Sequence, residues 1–187
     1  MVELNVARES WPIRGSFTIS RGSRTVAEVV VVELSDGRHT GRGECVPYPR
    51  YDETVDGVIR EIEGLRDALA QGLDRQGLQD RLPAGAARNA LDCAFWDLEA
   101  KAAGKRVWQL AGLPEPGPVP TAYTLSLDTP ARMAVSAKDN RERPLLKLKL
   151  SGPDDLDRVA AVRSNAPEAR LIVDANEGWT ADQYRNL

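Results

Sequence analysis

Short stretches of branched and apolar residues open the chain and read as strands: Val2 to Val6, the valine run ending at Leu34, and Thr40 to Cys45. The last two are joined by Ser35-Asp36-Gly37, whose Asp-Gly pair suits a tight hairpin, so an antiparallel sheet is predicted. Between the first two strands, SFTISRGSRT has little periodicity and is expected to be a mobile loop rather than a turn. From Asp52 the period changes. Val55, Val58, Ile59, Ile62, Leu65 and Leu69 recur at three- and four-residue steps and predict one face of a helix. A second helix is predicted from Ala86 to Ala103, with Ala87, Ala90, Leu91, Ala94 and Leu98 as its buried stripe and Gly104 as a left-handed cap.

Between Gly112 and Pro120 the segment GLPEPGPVP holds four prolines and marks a domain boundary. Beyond it strands and helices alternate. Thr121 to Leu125 is a strand, and Thr129-Pro130 opens a helix by supplying an oxygen acceptor and a preset first-turn dihedral. Leu145 to Leu150 is a strand, Pro153 to Arg163 a helix with Leu156, Val159, Ala160 and Val162 apolar, and Leu171 to Asp174 a strand. Thr180 and Gln183 have the spacing of a capping box that opens another helix. Alternation with short links implies parallel strands and right-handed crossovers. Three such strands do not close a barrel.

Charge and composition then exclude whole classes of partner. With 25 basic and 28 acidic residues the formal charge is -3, which gives no electrostatic case for nucleic acid or an anionic membrane. The longest aliphatic run, Val29 to Val32, is far short of the roughly 20 residues needed to span a bilayer. The N-terminus carries no signal-peptide pattern, and the chain is expected to be cytoplasmic. Cys45 and Cys93 lack metal or disulfide spacing and are expected to be buried thiols. The single histidine, His39, lies in a turn, so acid-base chemistry falls to lysine, carboxylates or tyrosine.

Two strand motifs offer that chemistry. In LLKLKL, the side-chain period of two puts Leu146, Leu148 and Leu150 on one face and Lys147 and Lys149 on the other. If the leucines meet helices, the lysines point into a barrel, where desolvation and mutual repulsion favour the neutral amine, a usable general base. The bland reading is an edge strand with a solvated lysine face. In LIVDAN, the strand ends in Asp174 and Asn176, where β/α barrels collect functional groups, and Asp174 is a hard oxygen donor suited to Mg²⁺. Inward lysines beside a metal carboxylate are what abstraction of a weakly acidic proton next to a carboxylate requires.

The segments AARNALDCAFWDLEAKAAGKRVWQLAGL, LKLKL and VDANEGW together resemble the enolase superfamily in its muconate-lactonising subgroup. TAYTLSLDTP and GECVPYPRY look more narrowly like the dipeptide epimerases that interconvert L-Ala-D-Glu and L-Ala-L-Glu. The resemblance implies an α+β capping domain over residues 1–113, built of antiparallel sheet and helices. It implies the first strands and helices of a (β/α) TIM-type barrel over 120–187. It makes Lys149 the acid/base at the glutamate Cα, Lys147 a contact to the substrate carboxylate, and Thr124 a residue at the substrate. Asp174 would be the first of three Mg²⁺ ligands, with Asn176 supporting it. The loop holding Phe17, Ile19, Arg21 and Arg24 would close over the site, and a guanidinium fork suits the dipeptide's glutamate carboxylate. Which of Arg21 and Arg24 serves stays open.

The family's remaining metal carboxylates and opposing lysine lie on later strands, so the chain is expected to be a piece of a longer isomerase, not competent to epimerise alone. Its partner would be a small dipeptide, with association into homo-oligomers left open. Open sheet edges would make the chain by itself aggregation-prone or paired. Within the subgroup, a cycloisomerase, a succinylbenzoate synthase or an acylamino-acid racemase shares these motifs. A non-catalytic half-barrel protein is the alternative of another class.

Overall fold

The structure is a computed structural model and describes residues 1–186. It divides into two compact units, one of residues 1–12 and 26–117, the other of residues 13–25 and 118–187.

Strands β1 (Glu3–Ile19), β2 (Gly22–Ser35) and β3 (Thr40–Cys45) form a sheet in the order β1-β2-β3, and the first unit holds β3 with residues 3–12 of β1 and 26–35 of β2. Strands β2 and β3 pair antiparallel, Val30 opposite Cys45 and Ser35 opposite Thr40. Asp36 closes their turn by accepting the backbone N–H groups of Arg38 and His39 at 2.8 and 2.7 Å. Helices α1 (Val55–Glu63), α2 (Arg66–Ala70), α3 (Arg75–Arg81), α4 (Ala86–Ala103) and α5 (Val107–Leu110) follow. The stripe from Val55 to Leu69 therefore belongs to two helices, parted at Gly64 and Leu65, where one was expected. Helix α3 escaped the periodicity because Leu78 is its one buried residue; Asp74 starts it by accepting the Gly77 N–H at 2.8 Å.

Helix α4 has the predicted bounds, its five stripe residues are buried, and Gly104 adopts the left-handed conformation at φ 60°. It lies directly on β3 at two glycines. A Cβ on Gly41 would sit 2.1 Å from the Ala94 carbonyl oxygen, and one on Gly43 would sit 2.0 Å from that of Ala90. Only hydrogen fits there. Around this contact Val30, Val32, Leu34, Ile62, Leu69 and Leu91 are fully enclosed, each contributing about 1.5–3 kcal/mol of hydrophobic stabilisation. Cys45 is buried as expected, but Cys93 is exposed, because it lies off the α4 stripe marked by Ala90 and Ala94.

The expected mobile loop is absent. Residues 16–19 and 22–25 continue β1 and β2, so the strands run to a two-residue turn at Ser20 and Arg21. This segment is polar and two-sided, which hides strand character from an alternation test. In the rest of the second unit, β4 (Tyr123–Leu125), α6 (Pro130–Asp139), β5 (Leu145–Lys149), α7 (Asp155–Asn165), β6 (Arg170–Asp174) and α8 (Ala181–Asn186) alternate. The strands form a parallel sheet in the order β4-β5-β6. Thr129 caps α6, and Thr180 and Gln183 form the reciprocal capping box that opens α8. The leucine face of β5 packs with Met133 and Ala137 of α6 and Val162 of α7. Leu156 and Ala160 of α7 are exposed, so only Val159 and Val162 of the predicted apolar set turn inward. Among the described residues, no helix is long and apolar enough to cross a membrane.

Candidate active site

Strand register assembles the site. Thr124, Lys147 and Ile172 are partners across β4, β5 and β6, and Lys149 is the partner of Asp174 one row further on. In-register parallel residues share a face, and residues two apart share it again. Thr124, Lys147, Lys149 and Asp174 therefore occupy the side of the sheet opposite the buried leucines.

The bland reading of the lysine strand does not survive. Lys147 and Lys149 each place Nζ 2.8 Å from the same oxygen, Asp174 Oδ2. Their exposures differ: the Lys147 side chain is 33% exposed and that of Lys149 only 7%. A buried ammonium needs a partner, and Asp174 supplies it. Burial by itself would raise the Asp174 carboxyl. The hydrogen bonds from Lys147, Lys149 and the Asn176 N–H outweigh that and hold it well below the usual carboxylate range. Asp174 is thus ionised, with Oδ1 engaged by the Asn176 N–H at 2.9 Å.

The tip of the β1–β2 hairpin belongs to the same unit and reaches this face. Lys149 Nζ lies 5.5 Å from the centroid of the Phe17 ring, and the Arg24 guanidinium lies 5.5 Å from it as well. Arg21 is held elsewhere: it donates to the Asn176 carbonyl oxygen at 2.7 Å and lies 3.6 Å from the Glu177 carboxylate. Ser20 Oγ donates to that same carbonyl at 2.9 Å. Asn176 and Glu177 both have positive φ, 49° and 65°, which turns this carbonyl toward the hairpin. Asn176 Oδ1 is buried with no hydrogen-bond partner. Sequence reasoning named Arg21 and Asn176 but not Ser20, and gave no sign that the two segments bond through a backbone carbonyl.

Asp174 has the chemistry of one Mg²⁺ ligand, being a hard, ionised oxygen donor. Among the described residues no group of three or more His, Cys, Asp or Glu side chains could hold a metal ion. The side chains at hand fit one corner of a metal site and not a whole one.

Residues 1–112 match the mandelate racemase / muconate lactonizing enzyme N-terminal domain. The chain belongs to that family. Within it, the chain is 46% identical over 184 residues to the L-Ala-D/L-Glu epimerase of Escherichia coli (strain K12), covering 97% of this chain and 57% of the relative. An enolase family member from Agrobacterium tumefaciens with homology to dipeptide epimerases, solved with sodium, L-Ala-L-Glu and an ordered loop, is 52% identical. Its fold matches with a TM-score of 0.94 over 100% of this chain and 57% of that one. A dipeptide epimerase from Enterococcus faecalis V583, complexed with Mg and L-Leu-L-Tyr, matches at 28% identity with a TM-score of 0.85, over 97% of this chain and 55% of that one. The chain spans a little over half the length of these relatives. Its antiparallel sheet with helices, followed by the opening strands of a β/α barrel, is the enolase-superfamily arrangement that the motifs implied.

Proposed function

We propose that this chain is the N-terminal part of a Mg²⁺-dependent epimerase acting on dipeptides of the L-Ala-D/L-Glu type. The observation that carries the reading is the buried Lys149 ammonium paired to Asp174 on the inner face of the parallel sheet, beneath the Phe17 ring. In the reaction, Lys149 first releases its ammonium proton to water and then, as the free amine, takes the α-proton of the glutamate residue. The C–H electron pair moves into the adjacent carboxylate as an enediolate, and the proton resides on Nζ. Lys147, still cationic, neutralises charge on that carboxylate. Mg²⁺, held in part by Asp174, would supply further positive charge to the enediolate.

Inversion also requires a proton donor on the opposite face of Cα, which none of the residues above provides. Arg24 is the better candidate for the glutamate side-chain carboxylate, since Arg21 is engaged by Asn176 and Glu177 while Arg24 lies over the Phe17 ring that Lys149 also approaches. The A. tumefaciens relative, solved with L-Ala-L-Glu, supports a glutamate-bearing substrate.

The test uses the protein in its full length with L-Ala-L-Glu or L-Ala-D-Glu and Mg²⁺ in D₂O. Mass spectrometry should show one deuterium entering the glutamate residue. Lys149→Ala should lower exchange from at least one stereoisomer by about 10²–10⁴-fold, the range for loss of a positioned acid-base group. Undiminished exchange in that variant, or none in the wild type, rejects the proposal.

A further inference from the structure

Apart from Lys149, Asp155 is the one charged residue among those described that is buried, at 2% exposure. Its carboxylate accepts from four donors. The N–H groups of Ser151 and Gly152 reach it at 3.1 and 2.7 Å, Arg158 Nη1 at 2.8 Å, and the Trp179 indole N–H at 2.6 Å. Arg158 extends the cluster, donating from Nε to the Asp128 carbonyl at 2.9 Å and from Nη1 to that of Pro153 at 2.6 Å. Asp128 follows β4, Ser151 to Pro153 follow β5, and Trp179 follows β6. One buried ion pair therefore ties together the loops after three successive parallel strands.

The loops also touch directly. A Cβ on Gly178 would sit 2.9 Å from the Ser151 carbonyl oxygen, so glycine is needed for the loop after β6 to lie this close to the loop after β5. A helix start can be capped by an exposed side chain. Enclosing a carboxylate is costly unless every lone pair is used, and here they are used to join loops. Two of those loops begin at Lys149 and Asp174, at the ends of β5 and β6.

We propose that Asp155 and Arg158 are positioning residues for the reaction, fixing the strand-end loops so that Lys149 and Asp174 keep their height and spacing beneath the substrate. This rests on the proposed epimerase reading. It also predicts that Trp179 acts through Asp155, which accounts for the indole bond across two loops.

The test compares the full-length wild type with Trp179→Phe, which removes one donor, and with Asp155→Asn, which keeps the shape but loses the charge. Three signals are read. The Trp179 indole ¹H–¹⁵N resonance reports the bond, the Lys149 ammonium ¹H–¹⁵N resonance reports position, and steady-state epimerisation reports catalysis. In the wild type the indole proton should exchange with solvent far more slowly than that of an exposed tryptophan. In Trp179→Phe the Lys149 resonance should shift or broaden, and kcat should fall about ten- to a hundredfold with KM within about twofold, because a small displacement of a catalytic group costs rate more than binding. Asp155→Asn should do the same or more and also speed indole exchange. If Asp155→Asn unfolds, Trp179→Phe decides alone. A wild-type indole that exchanges freely, or variants with the Lys149 resonance and kcat both unmoved, overturns the proposal. If the wild type turns over no dipeptide, the epimerase reading fails and the Lys149 resonance decides the positioning claim.

Discussion

Asp174 Oδ2 takes two ammonium hydrogen bonds at once, and the two lysines differ in how far water reaches them. That asymmetry matches the roles proposed for them, since the shielded Lys149 faces Phe17 while Lys147 keeps access to solvent and ligand. The neighbouring Arg24 should act on binding. Arg24→Ala is expected to raise KM for glutamate-bearing dipeptides by about 10–150-fold, the loss of a charge-assisted hydrogen bond of about 1.5–3 kcal/mol, and to spare a dipeptide with an uncharged side chain. Equal KM increases for both substrates would remove Arg24 from that role. The cysteines give a check on residue environments independent of activity. Burial, aided by the Glu53 charge, pushes the Cys45 thiol up to about 11. The thiolate is the reactive form, so near pH 8 only about one Cys45 in a thousand is reactive by that pKa. Iodoacetamide should label exposed Cys93 in the native protein well before buried Cys45, and labelling of both should rise with pH as more of each raised thiol ionises. Peptide mapping that finds native Cys45 modified first would contradict this packing.

At the scale of elements, β3 against α4 is the contact least tolerant of change. Overpacking usually costs about 1–3 kcal/mol because side chains can shift. A methyl at Gly43 would instead meet backbone, 2.0 Å from the Ala90 carbonyl oxygen. Gly43→Ala should therefore destabilise the first unit by about 3 kcal/mol or more, at the top of that range, read as a lowered denaturant midpoint; an unchanged midpoint would mean the helix sits further off. Nothing in TGRGEC announces that contact, because a glycine in a strand marks a close approach without saying what approaches. Helix α4 was legible in full, since its stripe, length and terminal glycine agree on the same bounds. The lysine face of β5 was legible too, because alternation of leucine and lysine has only one way to sit on helices. The hairpin tip was not. Its strand character is fixed by partners distant in sequence, with Thr18 accepting the Leu127 N–H at 3.1 Å and donating its own N–H to Ser126 Oγ at 3.3 Å. The Asp155 cluster was equally hidden, since its donors are two backbone groups, one arginine and one indole from another loop.

For the molecule as a whole, two separate cores support the two units, one around β2 and α4, the other around β5 with α6 and α7. Strand β6 pairs with β5 alone among the described strands, and its Ile172 and Val173 are 39% and 48% exposed. An open edge carrying exposed branched residues invites pairing with another chain. The 187-residue chain should associate with rising concentration in sedimentation velocity, and Val173→Lys should reduce that association; a monomer at all concentrations would contradict it. The assignment of residues 13–25 to the second unit has a consequence for recombination between relatives. A chimera joined at the proline-rich linker would take Phe17 and Arg24 from one parent and Lys149 from the other. Substrate choice in such hybrids would follow the donor of the first dozen or so residues past Pro12 as much as the donor of the barrel, and a swap that transplants the pair together is the one that should carry a parent's preference intact.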